Sequence, residues 1–129
     1  MLLVLWAGSL WSLSWVTSIL FSSQDDRHLA GMLAGKLFTV ETYVGVAVAL
    51  LALMLAGRTK PAGRPFVGGY LAAALLAVNE WALRPVMAAA RAQGAIAGLT
   101  FGAWHGVSAV LYGLACLALL LVIWRDDFR

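Results

Sequence analysis

Four long apolar runs separated by short polar clusters set the pattern of this chain. The first, residues 1–23, has no Asp, Glu, Lys or Arg; the second, 37–57, is interrupted only by Glu41. It is closed by Arg58-Thr59-Lys60-Pro61-Ala62-Gly63-Arg64-Pro65, a Pro/Gly/basic cluster that reads as a loop. The third run, 66–84, is alanine-rich and carries Asn79, Glu80 and Arg84 at its end, where Pro85 predicts a break or kink. Residues 86–98 are too brief to cross a membrane alone and read as a turn or an interfacial segment. The fourth run, 99–124, stops at Arg125-Asp126-Asp127-Phe128-Arg129. A spanning helix needs about 20 apolar residues, so the pattern predicts an all-α, four-helix transmembrane bundle over residues 1–129, in one integral membrane domain.

Composition points the same way. Of 129 residues 63% are apolar and 12% charged, with mean hydropathy +0.89, against about 45–50% and about 25% in a soluble domain. The first run lacks the basic start of a cleaved signal peptide and is expected to remain as a helix. The net charge of +3 arises from basic residues scattered between apolar runs, which fits positive-inside sorting and a lipid bilayer rather than nucleic acid. Four spans put Arg58, Lys60, Arg64, Arg125 and Arg129 on one side and Arg27, Lys36, Arg84 and Arg91 on the other. The dense loop at 58–64 places both termini in the cytoplasm. The single cysteine, Cys116, excludes an intrachain disulfide and reads as a small core residue.

The same topology gathers Lys36, Glu41, Asn79, Glu80, Arg84, His105 and Ser108 into one membrane layer at the non-cytoplasmic ends of the spans. A charge at the bilayer centre costs at least about 2.5 kcal/mol, so these groups are expected to face one another as an internal polar cluster. Glu41 shares a helix face with Gly45, Ala49 and Ala56, a small-residue stripe that admits a neighbouring helix. His105 aligns with Ser108, Tyr112 and Cys116, and Gly98, Gly102 and Gly106 offer a second close-packing face. Trp11 and Trp15, one turn apart, read as packing residues.

Several chemistries fit such a cluster. Glu80 and Arg84 have the spacing of a helical ion pair. Glu41, Glu80 and His105 are the candidate ligands for a divalent or transition metal, although no Glu-x-x-His or His-x-x-x-His spacing supports them. A neutral His105 bonded to Glu41 or Glu80 satisfies the layer without a ligand. His28 falls in a loop between the first two spans, which argues against a bis-histidine haem. Proton-linked transport through buried carboxylates and His105 is open, but so narrow a bundle would need an oligomer. No phosphate loop, nucleophile elbow or zincin motif occurs, so no enzyme is expected and no cofactor is assigned. A homo-oligomer or another membrane protein is the expected protein partner.

The stretch Ala30-Gly31-Met32-Leu33-Ala34-Gly35-Lys36-Leu37-Phe38-Thr39-Val40-Glu41-Thr42-Tyr43-Val44-Gly45 resembles a signature of domain-of-unknown-function family 4149, a bacterial membrane family related to the eukaryotic transmembrane-protein-205-like domain. Residues 79–91, from Asn79-Glu80-Trp81 to Arg91, and residues 101–112, with Trp104-His105-Gly106, resemble further parts of it. The resemblance implies a four-helix inner-membrane protein with Glu41, Asn79, Glu80, Pro85, Trp104, His105 and Ser108 as signature positions, and no established reaction. It also implies an analogy to metal handling, since the eukaryotic relatives are associated with resistance to metal-containing toxicants. The chain departs from the family at Ser18, where members often carry a proline ahead of the Leu-Phe pair. The reading from sequence is thus a small accessory or structural protein of the inner membrane, with metal binding or transport as the alternative.

Overall fold

The computed structural model describes residues 2–56 and 66–127. The basic loop at 58–64 and the last two tail residues, Phe128 and Arg129, lie outside the described residues. The chain forms α1 (Leu2–Ser23), α2 (Arg27–Ala56), α3 (Val67–Val78), a π-helical turn (Asn79–Leu83), α4 (Arg84–Gln93), a short hairpin of β1 (Ala95–Ile96) and β2 (Leu99–Thr100), and α5 (Phe101–Asp127). With α3, the π turn and α4 counted as one continuous path, four helices among the described residues are long and apolar enough to cross a membrane. The protein is an all-α, multi-pass membrane bundle. In it α1 packs on α2 and α5, and α3 packs on the same two helices, which closes a ring of four.

Two boundaries differ from those read in the sequence. Only residues 24–26 separate α1 from α2, so α2 begins at Arg27 rather than near 37 and holds His28 in its first turn. Asp26 starts the helix: its Oδ1 accepts the backbone N–H groups of His28 at 2.9 Å and Leu29 at 3.1 Å, and its carbonyl accepts that of Ala30. That N-cap satisfies donors that would otherwise be orphaned at the helix start. Thirty residues make α2 about 45 Å long, against about 30 Å of hydrocarbon, so its polar first turns extend beyond the apolar layer.

The chain does not break at Pro85 either. Proline has no N–H to donate and its ring crowds the carbonyl four residues back. The preceding turn widens instead, and the Arg84 N–H bonds the Asn79 carbonyl, five residues back. The helix then runs to Gln93, where a turn or interfacial segment was expected. Gly94, at φ 87°, ends it. Ala97 (φ 52°) and Gly98 (φ 77°) form the left-handed pair that joins β1 to β2, and Trp104 Nε1 donates to the Ile96 carbonyl at 3.2 Å, fastening the hairpin to α5.

The core lies toward the end that carries both termini. Trp6, Leu10, Leu76 and Leu119 fill it among Ala49, Ala72, Ala73, Ala115 and Cys116. These small residues allow close helix approach, which is how bundles pack in lipid. α1 lies on the stripe below Glu41: a Cβ at Gly45 would come within 2.6 Å of the Trp6 indole. At Gly68 a Cβ would collide with Val122 and lie 2.9 Å from the Ala118 carbonyl, so α3 and α5 touch backbone to backbone. The expected stripe at Gly98, Gly102 and Gly106 faces open space, apart from the neighbouring Thr100 hydroxyl at Gly102. Trp11 and Trp15 are not packing residues: they are 45% and 70% exposed, while Trp6 is 2% exposed. Lipid is as apolar as leucine, so the outward face of a spanning helix can hold large aromatic and aliphatic groups.

Candidate binding cavity

At the opposite end the same four paths spread. The end of α1, the start of α2, the π turn with α4, and the start of α5 enclose a half-open cavity of about 760 Å³. Its α2 wall carries Arg27, Gly31, Ala34, Gly35 and Phe38, a helical repeat that places all five on one face. Two polar connections tie its walls together.

The first centres on Glu80. Its Oε1 lies 2.8 Å from the Thr39 hydroxyl and pairs with the Arg84 guanidinium, whose Nη1 also donates to Thr39 Oγ1. Thr39 Oγ1 is also 3.0 Å from the Gly35 carbonyl; with one proton, it donates to that carbonyl or to Glu80 at any moment. Gly35 lies against the pair, where a Cβ would make only ordinary contact with Arg84 Nη2, at 3.4 Å. The second connection joins the π turn to α5. Ser108 Oγ donates to Asn79 Oδ1 at 2.6 Å, and Asn79 Nδ2 donates to the Ser108 carbonyl at 3.2 Å. Both Asn79 and Glu80 sit in the π turn, a local feature often found where helices carry function.

Aromatic groups frame the space. On the core side Phe38 packs edge-on to Tyr112, with centroids 5.0 Å apart, and the Tyr112 hydroxyl donates to the Leu10 carbonyl. On the outer side Arg91 lies 4.1 Å over the Phe101 ring, and that ring stacks on His105 at 5.9 Å.

Asn79, Glu80, Arg84, His105 and Ser108 therefore share one cavity wall system, but the other two expected cluster members do not line it. Lys36 is exposed, and Glu41 is half-buried against α1, where the Ser9 hydroxyl donates to it at 2.8 Å. Neither carboxylate holds His105, whose ring contact is Phe101. Among the described residues no three His, Cys, Asp or Glu side chains are grouped so as to hold a metal ion; Glu41, Glu80 and His105 are each engaged elsewhere. Sequence reasoning missed Thr39, Phe38 and the cavity positions of Arg27 and Arg91. For Arg27 and Phe38 the repeat 27-31-34-35-38 was the available signal, and it is visible only once α2 is taken to start at Arg27.

A family model described as a domain of unknown function (DUF4149) matches residues 1–96. That stretch includes Thr39, Glu41, Asn79, Glu80, Arg84 and Arg91, whereas His105 and Ser108 follow it. No curated protein and no solved structure matches the chain. The chain belongs to the DUF4149 family.

Proposed function

We propose that this DUF4149 protein is a non-catalytic accessory protein of the bacterial inner membrane, with both termini in the cytoplasm, and that it works by holding a ligand or partner at its open end. The observation that carries this reading is the contrast between the two ends of the bundle: an alanine and leucine core at one, and at the other a cavity of about 760 Å³, within the roughly 300–1,000 Å³ of small-molecule sites. The polar residues around that cavity are braced against one another through Glu80–Arg84–Thr39 and Asn79–Ser108. Such bracing supports a preformed recess. The orientation rests on the charge pattern, with Arg58, Lys60, Arg64, Arg125 and Arg129 on the side of the termini.

Metal handling through Glu41, Glu80 and His105 would require all three to leave Ser9, Thr39 with Arg84, and Phe101, and no observation favours that rearrangement.

A cavity-filling substitution tests the holding role. Ala109 lines the cavity and takes no part in either polar connection. Ala109→Phe is expected to abolish recovery of whatever small molecule or protein co-purifies with the wild type, while the bundle stays folded. A variant that only gains thermal stability, with identical co-purifying material, would mean that the cavity is a packing void.

A further inference from the structure

The cavity has a marked charge imbalance. Arg27, Arg84 and Arg91 line it against one carboxylate, Glu80, and Arg84 is the guanidinium that Glu80 neutralises. Among the described residues that is the only salt bridge, so Arg27 and Arg91 bring two positive charges with no carboxylate in ion-pair reach. Helix stability does not explain Arg27, because it stands in the first turn of α2, where the helix dipole disfavours a cation. Arg91 rests on the face of Phe101, an arrangement that holds a guanidinium in place while leaving its N–H edge for an anion. The remaining wall is largely apolar and includes Phe21, Met32, Phe38 and Met87. Thr17, also on the wall, has a buried hydroxyl without a hydrogen-bond partner.

We infer that the cavity binds an anionic phospholipid of the bilayer, with the phosphate between Arg27 and Arg91 and the upper part of an acyl chain against the apolar wall. This rests on the reading of the open end as a binding cavity. Size agrees with partial entry: at about 30 Å³ for a group the size of a water molecule, the cavity takes roughly 25 such groups, enough for a head group and part of one chain. The rest of the lipid stays in the leaflet beside α1 and α2.

The test is native mass spectrometry of the full-length protein from detergent carrying equal amounts of phosphatidylglycerol and phosphatidylcholine, with a separate titration of inorganic phosphate. The expected result is retention of about one phosphatidylglycerol in preference to phosphatidylcholine. Arg27→Gln/Arg91→Gln should weaken that retention about thirtyfold, at about 1 kcal/mol for each arginine facing an anionic lipid. Arg125→Gln, at the far end of α5, should leave it unchanged and controls for general attraction of lipid to basic residues. Equal retention of both lipids, an unaffected double variant that remains folded, or inorganic phosphate binding as tightly as the lipid would each overturn the inference. If Ala109→Phe displaces some other molecule while phosphatidylglycerol is never preferred, the inference fails and the holding role stands. If neither measurement changes on Ala109→Phe, both fail.

Discussion

Asn79 and Ser108 hold each other by two hydrogen bonds of 2.6 and 3.2 Å between the π turn and α5, at the level where the core gives way to the cavity. Each residue satisfies its partner, so removing either leaves a half-buried polar group behind. Asn79→Ala and Ser108→Ala are each expected to destabilise the bundle by about 1 kcal/mol, and the double variant by less than their sum. The coupling expected for a hydrogen bond between membrane helices is about 0.6 kcal/mol. A double-mutant cycle of unfolding in mixed detergent micelles measures it, and strict additivity would show that the Ser108 hydroxyl does not bond Asn79, since Ser108→Ala keeps the backbone carbonyl that Asn79 Nδ2 reaches.

The glycines separate into two classes. Gly45→Ala and Gly68→Ala push a methyl group into the Trp6 indole and into α5, and each should cost about 1–3 kcal/mol as overpacking. Gly106→Ala meets nothing within 4 Å and should be neutral, or stabilising by up to about 1 kcal/mol through helix propensity. Thermal unfolding of the three variants checks the order, and Gly106→Ala as the most damaging would reverse the packing described for α5.

Ala97 occupies a left-handed backbone conformation at φ 52°, which costs a residue with a side chain about 1–2 kcal/mol. Ala97→Gly removes that strain at some expense in unfolded-chain entropy. It is expected to raise stability by roughly 0.5 kcal/mol, while Ala97→Val, branched at Cβ, lowers it. Equal melting temperatures for all three would mean that the hairpin is not formed as described.

Elemental analysis of protein purified without chelator or metal-affinity chromatography, beside Glu41→Gln/His105→Ala, separates the holding role from metal handling. The holding role predicts no stoichiometric metal in either sample. Near-stoichiometric metal that disappears in a folded double variant would put Glu41 and His105 at a metal site.

The four spans were legible because each apolar run reaches the length a bilayer demands. The start of α2 was not, since that same length rule stopped at the last charged residue, Lys36, and gave no weight to Asp26 as a cap. Pro85 announced a disturbance, but whether a helix breaks or widens there depends on what the freed carbonyls meet. The buried face of α1 was misread at Trp11 and Trp15 because large apolar groups suit lipid and core equally, and hydropathy alone does not choose between them. Small residues were the better guide at Gly45 and Ala49, where α1 packs, yet the same spacing at Gly98, Gly102 and Gly106 supports no helix contact. Of the polar layer, the Glu80–Arg84 pair followed from spacing along one helix. Thr39 against Glu80 and Ser9 against Glu41 depend on the rotation of one helix about its axis relative to another, which a single sequence leaves open.

Cysteine labelling of the open end tests the account most directly. Cys116 is the native cysteine and is buried in the core, so Ala109→Cys adds one reporter inside the cavity, two helical turns away. In detergent solution a small polar maleimide is expected to label position 109 readily and to leave Cys116 unmodified until the protein unfolds. Protection of position 109 equal to that of Cys116 would mean that the bundle is closed at both ends, and would contradict the cavity on which the proposed function rests.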